Sequence, residues 1–199
     1  MLILGGGAKG LHQVAYSNSD WASCKVTRKS RTGCLVFLGN GPVAWYSKMQ
    51  TIVALSSFEA EYIAYVPTIQ LCSHVRKILK SINIPNVKFI YGVSVWSDNQ
   101  AALVTSKNPV NHQRSKHFHM KYAYVQEEVS RGAVVMGYTK SATNRADVCT
   151  KAVGLKIFQS HFPFIMGMGV IPKIEHKILT IEDDTLPCPM CSCSLSHKK

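Results

Sequence analysis

A mixed α/β sheet of five strands, three antiparallel followed by two parallel, with helices on both faces, is the fold this sequence predicts. Three observations carry that expectation. Strand-like runs near the N-terminus follow one another over short connections, which suit antiparallel neighbours. Two amphipathic helical stretches come next. Strand-like and helical runs then alternate, the pattern of parallel strands joined by helical crossovers. The element order reads βββαα-βα-α-β-α, without an internal repeat.

Gly5-Gly6-Gly7-Ala8-Lys9-Gly10 formally matches G-x-G-x-x-G, but only four residues precede it and a second strand-like segment follows it. A dinucleotide fingerprint requires a strand before the glycines and a helix after them. No G-x-S-x-G nucleophile elbow exists to make the stretch an oxyanion loop. Residues 1–11 are therefore a glycine-rich lead-in. Gln13 to Asp20, Cys34 to Leu38 and Pro42 to Ser47 are the first three strands, the last two joined by a Gly39-Asn40-Gly41 turn. The first link, Ala22 to Thr32, is basic, with Lys25, Arg28, Lys29 and Arg31.

Ser56 and Glu59 have the spacing of a capping box, and Phe58, Tyr62, Ile63 and Val66 line the apolar side of the helix they open. Pro67 is expected to end or kink it, with a second helix from Ile69 to Ile82. Val93 to Ser97 is a buried strand running directly into Asp98-Asn99-Gln100, a helix start. A basic loop spans Lys107 to Lys116, a helix runs from there to Val129 before Gly132, and Ala133 to Tyr138 is the last strand. Arg145 to Ala152 reads as a short closing helix. Residues 168–199 have no periodicity and are read as a disordered tail. Cys188-x-x-Cys191 with Cys193 and His197 offers zinc-type donors, yet the spacing matches no standard finger and no second pair exists.

The 199-residue chain carries a formal charge of +12, from 23 Lys and Arg against 11 Asp and Glu. That balance favours a polyanionic partner, with nucleic acid the usual one. No apolar run is long enough to span a membrane, and the start lacks a basic flank for a secretion signal. The seven cysteines, four of them scattered at no disulfide or metal spacing, suit a reducing compartment. The expectation is an intracellular protein, cytoplasmic or nuclear, with no membrane contact.

Acids this scarce draw attention when they fall inside apolar segments. Glu61 lies on a helix, Asp98 at a strand's end and Asp147 on a helix, while position 18, at the end of the first strand, is Asn18. Carboxylates converging on one sheet edge suit phosphodiester hydrolysis by two Mg²⁺ ions about 4 Å apart, since Mg²⁺ takes hard oxygen ligands. Each acid also has a plain structural account. Glu61 would be a solvated helix residue, Asp98 the cap of the helix after it, and Asp147 a surface charge paired with Arg145.

Residues 12 to about 167 resemble the ribonuclease H domain of the Ty1/copia-type retrotransposon Pol polyprotein. The resemblance is carried by Tyr16-Ser17-Asn18-Ser19-Asp20-Trp21-Ala22, Thr27 to Ser30, Thr32-Gly33, Val53 to Tyr62, Asp98-Asn99-Gln100, Lys107 to Val110, Arg114 to His117, and Asp147 to Lys151. It implies an RNase H-like fold and hydrolysis of the RNA strand of an RNA–DNA hybrid with two Mg²⁺ ions. It also implies that Glu61, Asp98 and Asp147 are the metal ligands, that Lys25, Arg28, Lys29, Arg114 and Lys116 meet phosphates, and that Asn99 and Gln100 meet the substrate backbone. A separate reverse transcriptase is the implied protein partner; the oligomeric state is not implied.

The departures are equally specific. The pattern begins Ser-Asp-(Ala/Ser)-Asp-Trp, and Asn18 stands where its first metal-bridging aspartate belongs. Asp20, the candidate substitute, lies two residues along the same strand face, about 6.6 Å away. His119 replaces a usual acid, His74 a usual tryptophan, and Pro67 interrupts a usually continuous helix. With no reverse transcriptase or integrase sequence before the domain, the chain reads as a decayed or separated copy. A hybrid nuclease impaired at Asn18 is the first expectation, and a catalytically silent nucleic-acid-binding domain the alternative.

Overall fold

The computed structural model describes residues 11–82, 89–107 and 116–172. The glycine-rich start, most of the basic loop after Lys107, and the cysteine-containing stretch at 188–193 lie outside them. Five strands form one sheet: β1 (Leu11–Asp20), β2 (Arg31–Leu38), β3 (Gly41–Met49), β4 (Phe89–Ser97) and β5 (Val134–Tyr138). Their order is β3-β2-β1-β4-β5. β1, β2 and β3 pair antiparallel, whereas β4 is parallel to both β1 and β5. This is the mixed sheet that the sequence predicts.

The β2–β3 turn puts Gly39 at φ +60°, a conformation costly for side chains bearing a Cβ. Alternation along the strands gives the sheet two apolar faces. On one, Ala15, Val36, Val93 and Val95 pack under α1 (Ser57–Ile82), α2 (Gln100–Lys107) and α3 (Lys116–Ser130), through Tyr62, Tyr65, Ile69, Leu103 and Val125. On the other, Val14, Tyr16, Leu35 and Phe37 are covered by Ala146, Phe164, Ile165 and Ile171. These come from the segment holding α4 (Asp147–Thr150), α5 (Leu155–Ile165) and the residues after it.

Pro67 does not end the first helix; α1 runs unbroken through it for 26 residues. A proline inside a helix costs about 3 kcal/mol, from the lost amide bond and the ring clash. Ile69, Cys72 and Val75, all beyond Pro67, are buried against the sheet or the neighbouring helices. Burying one large aliphatic side chain contributes roughly 1.5–3 kcal/mol, so two of them offset the proline. The capping box is half formed: Ser56 Oγ accepts from the Glu59 amide at 3.2 Å, while the Glu59 carboxylate turns to the Leu55 amide at 2.6 Å. The closing helix is only Asp147–Thr150, and a further helix, α5, follows it where the sequence reading placed none. Among the described residues no helix is long and apolar enough to cross a membrane.

Candidate active site at the carboxyl ends of β1 and β4

Parallel pairing in register sets the site. Tyr16 stands beside Trp96 at the last paired position of β1 and β4. Two residues on, the same offset puts Asn18 beside Asp98, at the carboxyl ends of adjacent central strands. Ends of parallel strands are where open α/β sheets place their chemistry. Asn144 ties the pair together: its Nδ2 donates to the Ser17 carbonyl at 3.0 Å and to Asp98 Oδ1 at 3.3 Å. Its Oδ1 accepts from the Ala146 amide at 3.1 Å, a local turn that launches α4. Ser141 Oγ donates to the other Asp98 oxygen at 2.5 Å.

Glu61 and Asp147 reach these strand ends from opposite faces of the sheet. Glu61, on α1, is only 6 % exposed. Its Oε1 accepts from the Ser19 amide at 2.8 Å, and its Oε2 is buried without a hydrogen-bond partner among the described residues. Asp147 opens α4, where Asn18 Nδ2 donates to its Oδ1 and Lys151 Nζ lies 3.3 Å from the same oxygen. α4 comes this close because β2 has Gly33 beneath it. A Cβ there would lie 2.5 Å from Thr150 Cγ2 and 2.9 Å from Cys149 Cβ.

Burial, then the charges of Asp98 and Asp147, push the Glu61 carboxyl well above the usual carboxylate range. Burial also raises Asp147, against the pull of Lys151 and the Asn18 hydrogen bond. The Asp98 charge thus raises both Glu61 and Asp147, as expected where negative charge is unbalanced. A shift of this kind beside convergent polar groups marks candidate functional residues.

None of the plain structural accounts survives. Glu61 is buried rather than solvated. Asn99, not Asp98, caps α2, its Oδ1 accepting from the Ala102 amide at 3.0 Å. Arg145 turns away from Asp147 to His161 and the Ser160 carbonyl.

Of the residues singled out from the sequence, Asn18, Glu61, Asp98 and Asp147 come together. Asp20 remains in β1 opposite Arg31, and neither Glu61 nor Asp147 feels its charge. Lys25 and Arg28 are exposed on the turn after β1 and Lys29 is half-buried there, while Gln100 is exposed on the first turn of α2. Arg114 and the Lys116 side chain lie outside the described residues. Asn144, Ser141 and Lys151 also belong to the site, and of these only Lys151 falls within the segments that carry the resemblance.

The donor set fits a hard divalent cation in kind. Carboxylate oxygens from three elements converge, and one buried Glu61 oxygen lacks a proton donor. In number the set falls short: among the described residues no group of three or more His, Cys, Asp or Glu is drawn together tightly enough to hold a metal ion. The mutual charge effects are compatible with this, since they act over longer distances than coordination bonds. Asp147 is engaged by Asn18 and Lys151, and Asp98 by Ser141 and Asn144.

No family model matches the chain. The Pol polyprotein of transposon TNT 1-94 from Nicotiana tabacum, described as retrovirus-related, is 33 % identical over 144 residues, 72 % of this chain and 10 % of that protein. That of transposon RE1 from Arabidopsis thaliana is 32 % identical over 158 residues, 79 % of this chain and again 10 % of the protein. The chain thus spans about a tenth of the length of the curated relatives it matches. Among solved structures, RNase H1 from the archaeon Halobacterium salinarum superposes over 70 % of this chain and 94 % of its own, with a TM-score of 0.51 at 17 % identity.

Proposed function

The chain is a relative of the retrovirus-related Pol polyproteins of transposons and has an RNase H-like fold; from that premise we propose that it is a ribonuclease H-type domain whose hydrolysis of RNA–DNA hybrids is impaired at Asn18. The substrate is the hybrid that a separate reverse transcriptase produces. One observation carries the reading: Asn18 donates a hydrogen bond to Asp147, where an aspartate would repel it. The amide closes the site upon itself, and the shared negative ligand becomes a neutral internal clasp.

By resemblance, Glu61, Asp98 and Asp147 are the groups that would hold Mg²⁺, as two ions, once released from their present partners and drawn closer together than they stand here. The metal supplies charge stabilisation on the phosphodiester and an activated water. Around it, this chain's own groups have definable tasks. Asn144 and Ser141 orient Asp98, the Ser19 amide fixes Glu61, and Lys151 neutralises Asp147 in the metal-free site. Lys25, Arg28 and Lys29 hold backbone phosphates, a sequence-independent contact. With Asn18 in place, about one unit of negative charge is missing where two dications would sit, and their repulsion is less well screened.

The test is cleavage of a labelled RNA–DNA hybrid in Mg²⁺ by the natural protein and by Asn18→Asp. The natural protein is expected to cleave very slowly or not at all, and Asn18→Asp to gain about a hundred-fold or more, equivalent to about 2.7 kcal/mol of barrier. Turnover by the natural protein at ordinary nuclease rates, on the order of 1 s⁻¹ or faster, would overturn the impairment. A folded Asn18→Asp variant that binds hybrid yet stays inert would favour the silent nucleic-acid-binding domain instead.

A further inference from the structure

The turn that follows the site strand carries more than positive charge. β1 ends at Asp20, and Trp21 comes next, three residues from Asn18. Its indole Nε1 donates to the Ala54 carbonyl at 3.0 Å, yet the residue stays 48 % exposed. The residues flanking that carbonyl are exposed as well, Val53 at 47 % and Leu55 at 85 %. A lone exposed apolar side chain needs no explanation, but three gathered around one tethering hydrogen bond form a platform. The tether fixes the ring while leaving it in solvent, which no packing requirement explains.

Next to this platform the chain makes a tight basic turn. The Arg28 amide donates to the Cys24 carbonyl at 2.8 Å and the Cys24 amide to the Lys29 carbonyl at 3.2 Å, with Arg28 at φ +55°. The turn is held to the body by the Ala22 amide on Ser30 Oγ at 3.1 Å and the Gln50 amide on the Ser30 carbonyl at 2.8 Å. Strand end, aromatic platform and basic turn are therefore contiguous and mutually fixed.

The geometry points to Trp21, with Val53 and Leu55, as a stacking platform for the bases or sugars of a nucleic-acid strand whose phosphates lie on Lys25, Arg28 and Lys29. An aromatic face beside a track of cations is how single strands and splayed strand ends are gripped without sequence preference, at about 1–3 kcal/mol per stacked base. The chain's charge of +12 favours this occupant over an acidic or apolar protein surface. Because the platform adjoins the carboxylate cluster, a strand gripped there is led across it. This inference rests on the hybrid-directed reading above and adds the residues that grip the strand.

The test measures binding of a fluorescein-labelled RNA–DNA hybrid carrying a single-stranded overhang by the full chain in EDTA, across a salt series, for the natural protein and for Trp21→Ala, Trp21→Phe, Leu55→Ala and Lys29→Ala. Trp21→Ala is expected to weaken binding about ten-fold with an unchanged salt slope, and Leu55→Ala by about two- to three-fold, since stacking releases no counterions. Trp21→Phe is expected to keep most of the affinity, because the ring survives. Lys29→Ala is expected to lower the salt slope by about one. Leu55 is too exposed to endanger folding, so its variant reads out the platform even where Trp21→Ala disturbs the Ala54 tether. Wild-type affinity in both Trp21→Ala and Leu55→Ala, alongside a weakened Lys29→Ala, overturns the platform and leaves the hybrid-directed reading standing. No binding of hybrid by the natural protein overturns both.

Discussion

The acidic cluster around Asp147 and the cationic cluster around Arg145 lie two residues apart in the chain, and both are buried, yet they settle their polarity in opposite ways. Around Asp147, carboxylates crowd one another, and Glu61 keeps an oxygen with no donor. Among the described residues no acid pairs with Arg145. The guanidinium bonds His161 Nδ1 and the Ser160 carbonyl, lies 3.6 Å over the Phe164 ring, and sits close enough to Tyr16 to influence its hydroxyl. The first cluster holds charge that a cation would relieve; the second uses its charge to fasten α5 to the sheet. Both clusters keep buried atoms unpartnered among the described residues, Glu61 Oε2 in the first and Arg145 Nε and His161 Nε2 in the second. What separates them is charge: crowded carboxylates mark a site, whereas one guanidinium laid over an aromatic ring marks a joint.

The strongest way to break this contrast is to remove the joint. Arg145→Ala deletes a side chain packed on an aromatic face and removes its hydrogen bonds to His161 Nδ1 and the Ser160 carbonyl. Losses of this type cost roughly 3 kcal/mol. A urea titration is expected to show it as a lowered midpoint. Lys151→Ala, which removes the half-exposed cation from Asp147, is expected to cost less than about 1 kcal/mol, as pairs near solvent do. Equal losses from the two variants would mean that the clusters do not differ in kind.

Neither cluster was equally legible beforehand. Alternation and turn chemistry placed all five strands, because the signals for strands and tight turns are local. Asn18, Glu61 and Asp98 stood out as polar residues in or beside apolar runs. The arginine cluster gave no such signal. Sequence proximity suggests Asp147, two positions away, as the partner of Arg145, but residues so spaced do not share a helix face. Its true partners, His161 and Phe164, sit on α5, a helix that was not anticipated despite its marked segregation of apolar and polar residues. Asn144 meets Ser17 across 127 residues, a contact only the fold discloses. Pro67 misled for the opposite reason: a strong local rule yielded to the burial of Ile69, Cys72 and Val75.

Acid sharpens the comparison next. Burial, then the neighbouring Arg145 charge, lowers the His161 imidazole to about 4 from the usual 6.5. A folded-state value below the unfolded one means that the neutral ring stabilises the fold. That stability is complete above pH 6.5 and is lost as pH falls from there towards 4. Each pKa unit corresponds to about 1.4 kcal/mol, so a loss of roughly 2–3 kcal/mol is expected across the window. His161→Gln should flatten the slope between pH 6.5 and 4 measured by urea titration at each pH. An unaltered slope in that variant would assign the acid sensitivity elsewhere.

The smallest effect tests the acidic side and runs in the stabilising direction. Glu61 has a folded-state pKa above its unfolded value, so its contribution to stability is present at low pH and is lost as pH rises through the folded value. Ionising the carboxylate is therefore a burden to the metal-free fold, set there by burial and by the charges of Asp98 and Asp147. Glu61→Gln removes the charge but keeps an oxygen to accept from the Ser19 amide. The metal-free variant is expected to gain about 1 kcal/mol at pH 7, with the gain vanishing below about pH 4. Mg²⁺ should then raise the melting temperature of the natural protein more than that of Glu61→Gln, because only the carboxylate offers the ion a charge. A variant less stable than the natural protein at pH 7 without metal would show that Glu61 is held by its hydrogen bond alone, and that the acidic cluster is a joint like its neighbour.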